Sequence, residues 1–476
     1  MRDALDSGAN GVYVNVGWKL TVSGWIVSAL SAGCASDLAV RAQPDPPAAF
    51  ENQPQNQRPQ WPAADWYRGF SSDQLNAFVA LATAGNGDLA EARARVAQAD
   101  ARARQAGAAI LPSVDALGNA DFLAGHSANG TAHETDWSAL LSASYEVDFW
   151  GKNRAAANSA KFLATASRAE RDTVALTTLA GVASGYFQVL ALNERLTIAR
   201  SNLDAARGLL DVVQARYAAG AASPIELAIQ KSAVSAAALV IPELEQQQGE
   251  ARASLALLVG RPPEGFDIVI KPIDSISEPA VAAGLPAELL TRRPDVFLAE
   301  ANLKSANADV AVARAAMFPS LNLTAAGGLQ NPALNAAVIS LPGTGSTLAL
   351  SGSLVQTIFD HGRLQAQRAE AQAKSEELLA AYRTAIVAAL TDVEKALGAI
   401  RHLDEAREFQ IETLAQSEHA FEGARLRYQA GSGDYLTLLE AQRTVYAARD
   451  TLVQYKFARL QALVGLCKAL GGGWKS

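Results

Sequence analysis

The sequence predicts a mainly α-helical protein with a transmembrane β-stranded part, built as two structural repeats. The motif Arg-Tyr-x-x-Gly occurs twice, 211 residues apart (427 − 216), at positions Arg216, Tyr217, Gly220, Arg427, Tyr428 and Gly431. A very long helix-type segment precedes each copy of the motif. Before each of these segments, apolar and polar residues alternate as they do in transmembrane β-strands. An internal repeat of this length constrains the fold more than any single residue does.

Two further landmarks recur in the same order. Gly151-Lys152 returns as Gly362-Arg363 at an offset of 211 (362 − 151), whereas Pro112-Ser113 returns as Pro319-Ser320 at an offset of 207 (319 − 112). The second unit is therefore four residues longer (211 − 207) between these landmarks.

The N-terminal region has the features of a bacterial lipoprotein export signal. A short apolar stretch, 20–32, follows a lysine and is too short to span a bilayer. It ends at Gly33-Cys34 in a sequence that resembles a lipobox, although the usual leucine stands one place too early. We predict a signal peptide over 1–33 and a lipid-bearing Cys34. Because acidic residues precede that lysine, we expect translation to start later, near Val14 or Val16.

Composition after the signal limits what the chain can be. Residues 42–62 are rich in Pro, Gln and Asn, which predicts an extended tether. The two cysteines are Cys34 and Cys467, and with the first assigned to lipid no disulfide is expected. A net charge of −7 and a pI near 5.4 argue against a nucleic-acid-binding surface.

The first unit, residues 76–258, is predicted to contain helices at about 88–110, 151–218 and 224–258. Residues 151–216 contain no proline, and charged residues interrupt Ala, Leu and Val at helical spacing. At ~1.5 Å per residue, such a helix is on the order of 100 Å long. Its uncharged stretch, 173–192, contains Thr, Ser and Gln, which favours a tightly packed helix over a membrane span.

Two strands are predicted in this unit, at about 112–125 and 136–149. The residues predicted to face lipid are Trp137, Leu141, Tyr145 and Val147, and those predicted to face a lumen are Ser138, Ser142, Ser144 and Glu146. A water-soluble hairpin with one face on a core has the same pattern. Four strands per chain cannot close a barrel with a polar lumen, so a membrane location also requires oligomerisation.

The second unit, residues 294–470, repeats the pattern after a proline-rich segment at 259–293. Its predicted helices span about 295–317, 362–429 and 435–470, and its predicted strands span about 319–330 and 346–358. Residues 471–476 form a C-terminal tail. On helical periodicity alone, a coiled coil remains the alternative.

No catalytic or metal-binding pattern stands out in the sequence. The five histidines have no HxxH or HExxH spacing, and neither a G-x-S-x-G motif nor a P-loop is present. Asn86-Gly87-Asp88 is expected to cap a helix. We therefore predict no enzymatic activity, no cofactor and no metal site.

Seven segments resemble the outer-membrane factor (TolC-like) family of efflux proteins, and most closely its lipoprotein branch serving resistance-nodulation-division pumps. They are 86–95 (NGDLAEARAR), 148–152 (DFWGK), 260–263 (GRPP), 292–296 (RRPDV), 359–363 (FDHGR), 427–443 (RYQAGSGDYLTLLEAQR) and 468–474 (KALGGGW). The resemblance implies that three chains each contribute four strands to a twelve-stranded outer-membrane barrel. It implies that the helices continue this barrel across the periplasm, with 34–75 and 259–293 in an equatorial domain.

The two Arg-Tyr-x-x-Gly turns are expected at the periplasmic tip, where the resemblance implies docking of an adaptor protein. Gly220 and Gly431 suit the left-handed residue that ends a helix. Ser223-Pro224 and Asp434 suit the start of the next helix.

One helical face after the second turn carries Leu436, Glu440 and Arg443. The positions 211 residues earlier hold Ile225, Ile229 and Ser232. The resemblance implies that the first three residues gate the periplasmic mouth, although close relatives carry Asp where this chain has Glu440. The alternative is an ordinary exposed ion pair on a solvated helix.

Together these observations predict a passive, trimeric exit duct for drugs or other small molecules. The resemblance implies that its partners are a periplasmic adaptor, an inner-membrane resistance-nodulation-division transporter and outer-membrane lipid. The alternatives are a duct for metal-ion export or type I protein secretion, and, in a different class, a structural coiled-coil lipoprotein.

Overall fold

The computed structural model describes residues 47–52, 60–127, 130–330, 339–340 and 346–474. The predicted signal peptide, Cys34 and most of the predicted tether lie outside the described residues. The side chain of Trp137 also lies outside the described part.

Helices make up most of the described chain, and they repeat in length. They are α1 (Asp73–Gly85), α2 (Gly87–Ala108), α3 (Lys152–Ala218), α4 (Pro224–Leu258), α5 (Pro286–Leu289), α6 (Pro294–Ala315), α7 (Arg363–Gln429) and α8 (Tyr435–Ala469). Helices α2 and α6 both have 22 residues, α3 and α7 both have 67, and α4 and α8 both have 35. The length difference between the two units therefore falls in the strand-bearing segments.

The two longest helices begin in the same way. Each follows a glycine in the left-handed region, Gly151 with φ 78° and Gly362 with φ 84°, where a side chain would be strained. The carboxylates of Asp148 and Asp360 each accept two backbone N–H hydrogen bonds at these starts, at 2.9–3.0 Å. These bonds satisfy donors that the first helical turn leaves free.

The strands form one antiparallel sheet of order β1-β2-β3-β5-β4. They are β1 (Ser113–Ser127), β2 (Gly130–Val147), β3 (Ser320–Gln330), β4 (Ile339–Ser340) and β5 (Ser346–Val355). Strand β2 begins at Gly130 rather than near 136, because its ladder with β1 continues to the pair Ser127–Gly130. The polar side chains there had indicated a loop, but ladder hydrogen bonds use backbone groups. Strand β5 ends at Val355, short of the predicted 358.

The largest core cluster lies where α1 packs against the middle of α3. Helix α1 was not predicted, although Ser72 caps it by accepting a hydrogen bond from the Leu75 N–H at 3.3 Å. The buried residues of α1 follow helical spacing and are Leu75, Phe78, Val79 and Ala82. Phe78 contacts Tyr186 of α3, with ring centroids 5.8 Å apart. A Ser followed by this apolar spacing is a signal from which α1 can be predicted.

The uncharged stretch of α3 is packed, as predicted, and its fully buried residues include Val182, Ala183, Tyr186 and Phe187. By length and composition, α3 and α4 are both apolar enough to cross a membrane. Half of the apolar window of α3 is buried inside the chain, whereas only 6% of the α4 window is buried.

Candidate functional site

The sheet has one apolar face and one mainly polar face. In the ladder, Tyr145 lies opposite Leu323, and Ser144 lies opposite Thr324. Because side chains alternate along a strand, Leu141, Tyr145 and Val147 share one face, and Ser138, Ser142, Ser144 and Glu146 share the other. Leu141 is 62% exposed in the single chain. The predicted division of β2 into two faces therefore agrees with the observed register.

The two helix hairpins, α3–α4 and α7–α8, are each closed by a glycine turn. Gly220 has φ 71° and Gly431 has φ 77°, as the sequence predicted for residues that end a helix. Asp434 caps α8 by accepting a hydrogen bond from the Thr437 N–H at 2.9 Å. Ser223 caps α4 and forms a capping box with Glu226.

The two hairpins of one chain are joined by Arg216, at the end of α3. Its guanidinium donates to the backbone carbonyl of Tyr428 at 2.6 Å and to that of Ala221 at 3.3 Å. It also lies over the Tyr428 ring, 4.5 Å from the centroid. This combination of charge-assisted hydrogen bonding and cation–π contact defines what we call the Arg–Tyr clamp.

Two further hydrogen bonds between the hairpins reinforce the clamp, and a third, within the first hairpin, orients one of their partners. The Tyr428 hydroxyl donates to the Glu226 carboxylate at 3.0 Å. The Tyr435 hydroxyl donates to the side chain of Gln230 at 2.9 Å, and that amide donates to the Ala206 carbonyl at 2.9 Å. Burial and the bond to Glu226 raise the pKa of Tyr428 to about 12. Burial, with the nearby Tyr428, also raises the pKa of Tyr435 to about 12.

The two copies of the Arg-Tyr-x-x-Gly motif have different surroundings in one chain. Tyr428 is 1% exposed and Arg216 is partly buried, whereas Tyr217 is 44% exposed and Arg427 is exposed. The predicted tip residues are therefore not equivalent, because the hairpins pack side by side and each presents a different side to the other. The Tyr428 side chain is not available to a partner protein in this conformation.

The predicted gate residues lie together on the exposed face of α8. Leu436 is 67% exposed, and Glu440 and Arg443 are also exposed. In the part of the chain that the structure describes, no ion pair joins Glu440 to Arg443. Leu436 and Glu440 line a shallow groove between α7 and α8, together with Gln416, Ser417, Ala420, Thr437, Ala441 and Thr444.

Sequence reasoning missed Glu226 and Gln230 as parts of this site. A signal for Glu226 exists, because Ser223 followed three residues later by Glu is a capping-box pattern. No local pattern marks Gln230, whose partner Tyr435 lies 205 residues away. Among the described residues, no group of three or more His, Cys, Asp or Glu side chains is placed to hold a metal ion.

A sheet with one apolar face that continues into paired helices of 67 residues defines the class of outer-membrane ducts with a periplasmic helical barrel. The family model described as "Outer membrane efflux protein" matches residues 79–261 and 285–472. The chain belongs to the outer membrane efflux protein family. Members of this family are channels rather than enzymes, and they work as trimers within tripartite pumps.

Individual comparisons agree with this assignment. The chain is 45% identical to the pyoverdine export outer membrane protein OpmQ of Pseudomonas aeruginosa, over 86% of this chain and 88% of OpmQ. It is 28% identical to the cation efflux system protein CusC of Escherichia coli, over 86% of this chain and 89% of CusC. The solved structure of the outer-membrane channel OprN superposes with a TM-score of 0.84 at 26% identity, covering 91% of this chain and 98% of that channel. The protein is an outer-membrane efflux channel.

Proposed function

We propose that three copies of this chain form a passive exit duct that docks onto a periplasmic adaptor and an inner-membrane resistance-nodulation-division transporter. The observation that carries this proposal is the unclosed sheet. Among the described strands, β1 pairs only with β2, and the outer side of β5 pairs only with the two residues of β4. Open edges are not tolerated in lipid, so other chains must complete the barrel.

A second observation supports trimerisation away from the membrane. Only 6% of the apolar window of α4 is buried in one chain, and Leu239 and Val240 are among its exposed residues. A long apolar surface on a helix that lies outside the bilayer indicates contact with another protein chain. Neighbouring copies of this chain are the proposed source of that contact.

The turns at the ends of the hairpins are the proposed docking surface for the adaptor. Gly220 and Gly431 shape these turns, and both are exposed. Tyr217 and Arg427 lie next to the turns, whereas Arg216 and Tyr428 hold the two hairpins together. Leu436, Glu440 and Arg443 are the proposed gate, and Cys34 is the proposed site of lipid attachment.

For the exported compound, the relatives favour a secreted small molecule. OpmQ, at 45% identity, exports pyoverdine by its name. We propose that this chain exports a compound of comparable kind. Metal-ion export is the second candidate, because CusC belongs by name to a cation efflux system, at 28% identity.

Two measurements test these proposals separately. Native mass spectrometry of the detergent-purified protein is expected to give trimers, and these trimers are expected to form channels in planar bilayers. Monomers without conductance would reject the duct. Expression in a Pseudomonas aeruginosa strain lacking OpmQ is expected to restore pyoverdine in the medium. Intact trimers that restore none would reject the proposed substrate class while leaving the duct in place.

A further inference from the structure

The Arg–Tyr clamp uses only one arginine and one tyrosine of the two motif copies. Arg216 and Tyr428 contact each other within the chain, while Tyr217 and Arg427 remain exposed. The unused residues occupy equivalent positions, since 216 and 427, and likewise 217 and 428, are 211 residues apart (427 − 216). One chain therefore has one formed clamp and the two separated halves of a second.

The packing of the hairpins shows where the second clamp would form. Within the chain, α3 of the first hairpin packs against α8 of the second, in a cluster that includes Leu209, Val213, Tyr428, Tyr435 and Leu438. If the hairpins continue around a ring in the same order, the equivalent contact places α7 of one chain against α4 of the next. Each hairpin consists of one helix of 67 residues and one of 35 residues, so either hairpin can take the place of the other in the ring.

The groove between α7 and α8 lies at the place that this arrangement requires. Its residues Ala420, Thr437 and Ala441 are the equivalents of Leu209, Glu226 and Gln230, which surround Tyr428 and Tyr435 within the chain. The second hairpin covers this position of the first hairpin. The equivalent position of the second hairpin, which is the groove, is not covered within the chain.

We propose that Arg427 of one chain and Tyr217 of the adjacent copy form the same clamp across each boundary between chains. The Arg427 guanidinium donates to the Tyr217 backbone carbonyl and covers the Tyr217 ring, as Arg216 does with Tyr428. This inference rests on the proposed trimer, and it assigns a contact between chains to Arg427 and Tyr217 at the tip of that trimer.

We call the contact of Arg427 and the open groove with the next chain the boundary seam. It is weaker than the contact between the two hairpins within one chain. Thr437 and Ala441 stand at the positions equivalent to Glu226 and Gln230. The boundary therefore has neither the carboxylate that accepts from Tyr428 nor the amide that accepts from Tyr435 within the chain. Pro224 stands at the equivalent of Tyr435, and Ala424 at that of Val213, so less apolar surface is buried. The boundary contact is therefore expected to separate more readily than the contact between the two hairpins of one chain.

Cysteine cross-linking tests the position of the clamp. Tyr217→Cys and Arg427→Cys are combined in the full chain with Cys467→Ala, and the trimer is treated with a short bis-methanethiosulfonate reagent. A bifunctional reagent is needed because an arginine reaches farther than a disulfide allows. Covalent trimers on a denaturing, non-reducing gel are the expected result. The two single-cysteine variants are the matched controls and are expected to remain monomers on that gel.

The outcomes separate this inference from the proposed function. Native trimers whose double-cysteine variant cross-links no more than the single variants would overturn the clamp and leave the duct standing. A chain that forms no trimer before any substitution would overturn the duct itself.

Conductance provides a second measurement. In planar bilayers, Arg427→Ala is expected to raise the open-to-closed ratio on the order of tenfold, the equivalent of about 1.4 kcal/mol. Arg216→Ala is the matched control and is expected to have a smaller effect, because the bonds from Tyr428 to Glu226 and from Tyr435 to Gln230 remain. An equal effect of the two variants would overturn the assignment of the boundary as the weaker seam.

Discussion

Glu440 and Arg443 lie one helical turn apart on α8, yet the structure does not pair them within a chain. Around a three-fold axis, three Glu440 carboxylates at a narrow opening would attract cations. Replacing both residues with Ala is expected to raise conductance and weaken cation preference in planar bilayers. Because the two residues are unpaired within the chain, their removal takes away at most exposed charge contacts between chains, each worth about 0–1 kcal/mol, so we expect partial rather than permanent opening.

The control for this experiment is the equivalent pair of the first hairpin, Ile229 and Ser232, also changed to Ala. These positions carry no charge, so selectivity is expected to stay at its original value. Unchanged conductance and selectivity in the Glu440 and Arg443 double variant, with trimers intact, would mean that these residues are an ordinary solvated helix face.

Tyr428 makes the stability of the hairpins decrease with rising pH in the alkaline range. Its folded pKa is raised to about 12, above the value of about 10 for an unfolded tyrosine. The folded state therefore retains a proton that the unfolded state releases. The resulting stability is fully present below pH ~10 and is lost as the pH rises through the folded pKa of about 12.

Tyr428→Phe removes this titration and the hydrogen bond to Glu226. The variant is expected to unfold more easily at neutral pH, by roughly 1.5–3 kcal/mol for a hydrogen bond to a charged group. Between pH ~10 and ~12, its thermal midpoint should fall less than that of the unmodified protein. Circular dichroism of the helices measures both effects, and parallel pH profiles for the two proteins would contradict the assignment.

At the residue scale, the sequence predicted the turns and helix caps that depend only on residues close together along the chain. The glycine turns and the caps Ser223 and Asp434 follow from local backbone chemistry, so their residue types were sufficient evidence. The different roles of Tyr217 and Tyr428 were not predictable, because both stand in the same motif. What separates them is which side of each hairpin faces the other, and this is a property of the folded chain.

At the scale of elements, the two faces of β2 can be tested directly. Leu141→Arg places a charge on the apolar face and is expected to destabilise the barrel by roughly 2–4 kcal/mol if it lies near the middle of the bilayer. Ser142→Arg, its neighbour on the polar face, is the matched control and should be tolerated in a water-filled lumen. The yield of folded trimer measures both, and equal losses would show that the faces have been assigned the wrong way round.

Long, strongly periodic elements were the easiest to predict, because a hydrophobic repeat accumulates signal over many turns. The long helices α3 and α7 belong to this group. Short α1 was missed because a helix of 13 residues between Ser72 and Asn86 presents few periods. The predicted start of β2 was wrong, because strand pairing with β1 overrides the polar character of the residues from 130 onward.

At the scale of the whole molecule, attachment to the membrane has two proposed sources, the barrel and a lipid on Cys34. Cys34 lies outside the described residues, so its lipidation rests on the sequence alone. The apolar stretch that ends at Gly33-Cys34 has the order of an export signal followed by a lipobox. Ala35, the next residue, resembles those of lipoproteins sent on to the outer membrane.

Cys34→Ala is expected to abolish metabolic labelling with radioactive palmitate. The variant is still expected to form trimers in the outer membrane, because a closed barrel spans the bilayer and anchors the trimer without the lipid. Cys467→Ala is the matched control and should keep its label, because this second cysteine is buried in α8. Undiminished labelling of the Cys34→Ala protein would reject the lipid anchor. Loss of trimers together with the label would instead make the lipid a condition for assembly, and the unclosed sheet would then need the anchor to bring its neighbours together.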